Sequence, residues 1–83
     1  MEKRIEQFYN VLGEKKITTV FQPILDLWQK EVLGYEALSR VTDENMNISI
    51  KDMFQTAVAV GELWKLEKLC RKKAIENAAS LPE

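Results

Sequence analysis

The 83-residue chain contains no histidine. That excludes imidazole general bases, Ser-His and Cys-His nucleophile pairs, and histidine-ligated zinc. A single cysteine, Cys70, excludes an intramolecular disulfide and a cysteine metal cluster, and a reducing, cytosolic compartment is its simplest reading. Any bound metal would therefore be a hard cation held by carboxylate oxygens. No apolar run approaches the ~20 residues needed to span a bilayer. Met1-Glu2-Lys3-Arg4 opens a charged amphipathic stretch, not an apolar signal segment. An excess of one charge is also lacking, because 12 basic and 13 acidic residues leave a formal net charge of −1. That balance gives no electrostatic case for a DNA or RNA polymer or for an anionic membrane surface.

Hydrophobic residues at 46% and charged residues at 30% argue for a globular chain and against a disordered one. At this length it makes at most one small domain, which buries only about 60–65% of its unfolded surface, so its stability is marginal.

Ile5, Phe8, Tyr9 and Leu12 recur at helical spacing and predict a short helix that Gly13 can end, followed by the charged connector Glu14-Lys15-Lys16. From Ile17 to Leu27 the chain becomes β-rich, and Pro23 makes this strand an edge or kinks it. A second strand is expected over Val32–Leu38, close enough to form a hairpin although the usual turn glycine is absent. Residues 41–47 read as a polar loop. Ser49-Ile50-Lys51-Asp52 resembles a capping box, after which Ile50, Met53, Phe54, Ala57 and Val58 make a helical face that Gly61 interrupts or ends. Leu63, Leu66, Leu69, Cys70, Ala74 and Ala78 carry the pattern through a longer helix that frays near Leu81-Pro82. The expected order is α-β-β-α-α. Two strands alone make a marginal sheet, so either the helices clamp the hairpin or further strands complete it; the second is favoured.

The chemistry concentrates in Gly34-Tyr35-Glu36-Ala37-Leu38-Ser39-Arg40. On an extended strand Gly34, Glu36, Leu38 and Arg40 share one face. Spacing alone is compatible with the wet face of a half-buried sheet. Folding the hairpin about Gln29-Lys30 brings Gln22 across from Glu36 or Ala37. An amide, a carboxylate and a guanidinium on one surface suit a phosphate ester: the carboxylate holds a divalent cation, the arginine forks onto phosphate oxygens, and the amide orients the ligand.

Val20-Phe21-Gln22-Pro23-Ile24-Leu25-Asp26-Leu27, followed by Val32-Leu33-Gly34-Tyr35-Glu36-Ala37-Leu38-Ser39-Arg40, is similar to the start of an EAL domain, the cyclic di-GMP phosphodiesterase family. That family's pattern is an aromatic-Gln-Pro-Ile strand, a short turn, and then Gly-Tyr-Glu-Ala-Leu-x-Arg. Met53-Phe54, Ala57, Gly61 and Leu66-Glu67 fit the helical stretch that follows, so the resemblance runs from about Ile17 to the end. It implies an α/β fold, the N-terminal fragment of an EAL-type (β/α)8 TIM-like barrel with an antiparallel first hairpin. On this view residues 1–16 form an N-terminal helix and connector, and 17–83 the truncated first part of the domain. The implied activity is hydrolysis of cyclic di-GMP to linear pGpG with Mg2+ or Mn2+. Glu36 falls on the motif glutamate, a metal ligand and catalytic residue. Arg40 falls on a phosphate-contacting arginine, Gln22 on a glutamine lining the nucleotide site, and Leu38 on a leucine packing against the ligand. A complete barrel needs on the order of 250 residues and assembles its site from many strand ends. The chain alone is therefore expected to be inactive. A non-catalytic EAL-like module that binds nucleotide or a protein is the alternative, and self-association through exposed strand edges or apolar helix faces is a further expectation.

The remaining conspicuous residues have plainer readings. Cys70 reads as a core thiol, Trp28 and Trp64 as packing residues, and Met46 and Met53 as loop and core. Lys68, Arg71, Lys72 and Lys73 read as a solvated face near a helix C-terminus, which favours cations. Asp43-Glu44-Asn45 is rich in oxygen but lacks the ligand spacing of a calcium loop.

Overall fold

The computed structural model describes residues 2–42 and 48–81. Helix α1 (Glu2–Gly13) leads into strands β1 (Ile17–Asp26) and β2 (Glu31–Val41), and helices α2 (Ile50–Val60) and α3 (Leu63–Ala78) follow. The chain is thus mixed α/β in the expected order, with one antiparallel two-stranded sheet. Strand β2 runs further than its apolar run alone suggested, since Glu31, Ser39, Arg40 and Val41 all belong to it, whereas β1 ends one residue before Leu27. Residues 43–47, which include Met46 and Asp43-Glu44-Asn45, lie outside the described residues, as does Pro82.

Capping chemistry sets the helix ends. Ser49 accepts from the Asp52 backbone N–H at 3.1 Å, and the Asp52 carboxylate accepts from the Ser49 N–H at 3.1 Å. This reciprocal pair is the expected capping box, and it satisfies two donors that a helix start leaves open. Gly61, at φ +73°, ends α2 in a left-handed turn, with its own N–H on Val58 and the Glu62 N–H on Ala57. Only a residue without a Cβ takes that conformation freely. Helix α1 ends at Gly13 as expected, but the turn that follows is not built on the glycine. The left-handed position is Lys15 (φ 56°), whose N–H bonds Leu12 while the Lys16 N–H bonds Val11. The glycine lies two residues before the place where its freedom would help.

The same device closes the hairpin. The Asp26 carboxylate accepts from the backbone N–H of Trp28 at 2.9 Å and of Gln29 at 3.1 Å, and Lys30 takes the left-handed conformation at φ 55°. An aspartate side chain mimicking a backbone turn thus replaces the missing turn glycine. Pro23 pairs with Tyr35 inside the ladder, and the irregularity falls between Ile24 and Leu25, where Leu33 of β2 has no partner. Each strand has a neighbour on one side only, so a proline nitrogen facing the open side forfeits no ladder bond.

Phe8, Val11, Ile17, Ile48, Met53, Ala57, Leu66 and Leu69 form one buried core, with Leu12, Val41, Ile50, Phe54, Val60, Leu63 and Cys70 packed against it. The periodicities found most of this core, but not all of it. Val11 is buried where Tyr9 was expected, Val58 lies outside the α2 contact face, and Ile48 enters from outside any helix. All three helices contribute to the core, whereas the hairpin contributes only its open end, through Ile17 and Val41. Helix α3 packs chiefly on β1, where the Asn77 amide donates to the Thr18 hydroxyl at 3.2 Å. The far end of the hairpin projects. The radius of gyration is 15.0 Å, against about 12 Å for a compact chain of this length.

Two predictions follow from the caps. Lys15→Gly relieves the left-handed strain and raises unfolding free energy by up to ~1 kcal/mol in urea denaturation, whereas Ser49→Ala lowers it by about 1 kcal/mol. The second concerns acid. The Ser49 backbone N–H and then its hydroxyl hold the Asp52 carboxyl below the usual carboxylate range, against an opposing effect of burial, with the Arg4 guanidinium lowering it further. On acidification the unfolded chain therefore takes up this proton first. The contribution of Asp52 is full above the usual carboxylate value and is lost as pH falls through its lowered one. Urea midpoints of Asp52→Asn across that window should show a flatter acid dependence than the parent chain.

Candidate functional site

The hairpin register decides which side chains meet. Gln22 lies directly opposite Glu36, Val20 opposite Leu38, Thr18 opposite Arg40, and Ile24 opposite Gly34. Side chains directly opposite in an antiparallel pair project to the same face, with Cβ atoms about 4.5–5.5 Å apart. Gln22, Glu36, Leu38 and Arg40 therefore share one face of the sheet. Of the two partners that loop length allowed for Gln22, the structure selects Glu36.

Along this face Gln22, Glu36 and Arg40 are exposed and Leu38 is half-buried. The side chains of Gln22 and Glu36 make no hydrogen bond or ion pair among the described residues. Arg40 donates to the carbonyl oxygen of Ser39 at 2.8 Å. Glu36 and Arg40 lie four positions apart on the strand, roughly 13 Å, so the two charges do not pair within one chain. A ligand with oxygens spread over a comparable distance could meet both. Gly34 contributes room: a Cβ built on it would meet nothing within 4 Å.

The donor set limits what this face holds alone. Among the described residues no three His, Cys, Asp or Glu side chains gather as a metal-binding group. Glu36 and the Gln22 amide offer two kinds of oxygen donor, whereas Mg2+ demands six ligands in near-octahedral geometry. The described residues do not by themselves fit a resident divalent ion.

Thr18 and Val20 complete the face, although only a known register reveals them. A separate concavity, lined by Leu12, Lys15, Trp64, Lys65, Lys68 and Lys72, lies on the helical side, with the Lys65 ammonium 5.8 Å from the Trp64 ring centroid. It joins the solvated lysine face expected on α3 to a tryptophan that was expected to pack. Trp64 is 61% exposed and Trp28 95% exposed. The packing expectation fails for both because Trp28 lies in the projecting turn and Trp64 lies off the buried stripe of Leu66 and Leu69. Cys70 is half-buried against the core, close to its expected role.

No family model, curated protein or solved structure matches the chain. No described helix is long and apolar enough to cross a membrane.

The exposure of Trp28 generates a direct check. Trp28→Ala should change unfolding free energy by less than ~0.5 kcal/mol. In the parent chain Trp28 fluorescence should be fully accessible to acrylamide; a loss of stability above 1 kcal/mol in the variant would place this tryptophan in a core.

Proposed function

We propose that this chain is the first part of an EAL-type barrel whose complete form hydrolyses cyclic di-GMP to pGpG. The observation that supports the reading most strongly is the direct pairing of Gln22 with Glu36, with Leu38 and Arg40 on the same face. The two halves of the motif resemblance thereby meet on one surface. The reading rests on that motif and that face, without support from any matched relative.

Each side chain has a task its chemistry suits. The Arg40 guanidinium offers planar, bidentate donation to phosphate oxygens. The Gln22 amide both donates and accepts, which suits orienting a base or ribose edge. Leu38, beside Val20, offers an apolar patch for the flat face of a purine. Glu36 contributes one anionic oxygen pair toward a divalent cation. Bound Mg2+ or Mn2+ would polarise the phosphoryl group and activate water. Further carboxylates supplied from beyond these residues would be required to hold it.

Among the described residues no three acids gather around Glu36, which is equally compatible with a second reading, in which the parent protein is an EAL-like module that binds nucleotide or a protein without turnover. Calorimetric titration with cyclic di-GMP, together with a pGpG assay on the protein expressed from its full reading frame, separates the two. The proposal expects binding and Mg2+- or Mn2+-dependent turnover, with Glu36→Ala lowering turnover by at least ~100-fold. Binding without turnover supports the second reading. Full activity of Glu36→Ala contradicts both, and no binding of cyclic di-GMP contradicts the first reading and leaves of the second only a protein-binding module.

A further inference from the structure

We propose that the concavity between α1 and α3 binds a small multivalent organic phosphate, of the nucleoside triphosphate kind, at a site separate from the Gln22–Glu36 face. The proposal goes beyond the phosphodiesterase reading and does not rest on it. Leu12 and Lys15 line the concavity from α1 and the turn after it, and Trp64, Lys65, Lys68, Leu69 and Lys72 line it from α3. No described residue of either strand takes part. Both walls are fixed from behind, because Leu69 is buried in the core and Leu12 packs against that core. The cleft is therefore complete within residues 12–72 and needs no further strand to form.

Four ammonium groups line this cleft, and among the described residues no carboxylate does. Lys65, Lys68 and Lys72 recur at i, i+3 and i+7, which stacks them along one face of α3. Lys65 pairs with Glu62 at 3.2 Å, whereas Lys15, Lys68 and Lys72 make no ion pair among the described residues. Three features of this arrangement oppose folding. Like charges three and four apart on a helix repel. The helix dipole favours cations in the last turn, yet the last turn of α3 has none and Lys65 sits in the first, at the positive end. The dipole therefore does not account for this lysine face. Lys15 holds a left-handed conformation that Gly13, two residues earlier, would take freely. Strain of that kind collects where a ligand is clamped. A multivalent anion relieves the repulsion; a neutral or cationic occupant does not.

Size and lining select the class of anion. The concavity has a volume of about 340 Å³, within the range of roughly 300–1,000 Å³ that small-molecule sites occupy. Lys65 and Lys72 lie seven helical residues apart, roughly 10 Å along the axis, which suits an extended chain of phosphates. Beneath the charges lies apolar surface. Trp64 is 61% exposed, and beside it Leu12 and Leu69 complete a floor on which a flat ring stacks. The Lys65 ammonium lies 5.8 Å from the Trp64 ring centroid, so the charged and the flat parts of the site adjoin. Inorganic phosphate would leave that floor unused, and a flat anionic bilayer would meet the rim without reaching it.

Calorimetric titration of the protein expressed from its full reading frame with ATP, adenosine and inorganic tripolyphosphate, in EDTA, tests this. The expected result is one saturable ATP site per chain, weakening as salt is raised, with tripolyphosphate about tenfold weaker and adenosine not bound. Lys68→Ala combined with Lys72→Ala should weaken ATP about tenfold, and Trp64→Ala about fivefold or more. Lys15→Gly should weaken ATP about threefold while raising stability to urea, a split that a purely structural lysine would not show. Glu36→Ala should leave ATP binding unchanged, so failure of this site and failure of the phosphodiesterase reading are told apart. Lys15, Trp64, Lys68 and Lys72 are all exposed, and circular dichroism checks that each variant is folded. Should the double lysine variant not fold, Lys15→Gly decides alone. No ATP binding, binding indifferent to the lysine substitutions, adenosine or tripolyphosphate equal to ATP, or loss of ATP binding in Glu36→Ala overturns the proposal. So does a response confined to phosphatidylglycerol vesicles or to polyglutamate.

Discussion

Antiparallel pairing of β1 with β2 in the register that sets Gln22 against Glu36 is the constraint on which the rest of this structure depends. Side chains on a strand alternate between faces, so a slip of one residue would send Glu36, Leu38 and Arg40 to the opposite side from Gln22. Three local features hold the register: the Asp26 carboxylate bonding two turn N–H groups, Lys30 in a left-handed conformation, and the unpaired Leu33, which absorbs one residue of mismatch. At the other end the Thr42 N–H bonds the Lys16 carbonyl at 2.9 Å, and Ile17 enters the helical core. The hairpin is thus anchored at its base and shaped at its tip, with little packing between.

This distribution explains the asymmetry of the molecule. Apolar side chains at the base are buried among three helices. Those toward the tip, including Leu25, Leu27, Val32 and Leu33, remain exposed. Exposed apolar side chains of this size are surface that further packing against the hairpin would turn into buried area. The functional reading draws on that unmet demand, because it calls for further strands beside the hairpin.

Much of this was legible in the residues. Ser49 and Asp52 announce their capping box by spacing alone, and Gly61 marks the end of α2, because both features depend on side chains and backbone within a few positions. The strands were legible from their β-branched and aromatic content, and Gln22 could be set against Glu36 to within one residue. What stayed hidden depends on tertiary context. Lys15 and Lys30 hold left-handed conformations that lysine does not advertise. Ile48 is buried by the helices around it, not by any periodicity of its own. On α1, Phe8 was recognised, but Val11 replaces Tyr9 in the core because the helix is rotated relative to its apolar stripe, and Tyr9 instead meets Phe8 edge-on at 5.1 Å. The bulge at Leu33 was the one feature that could have shifted the site, and no residue type signals it.

The register is open to direct measurement by NMR. Because Pro23 has no N–H, its pair with Tyr35 is a narrow one in which the two Hα atoms approach each other closely. A strong Hα–Hα nuclear Overhauser contact between Pro23 and Tyr35 is the predicted result. A contact from Pro23 Hα to Gly34 or Glu36 instead would show a slipped pairing, separate Gln22 from Glu36, and contradict the account.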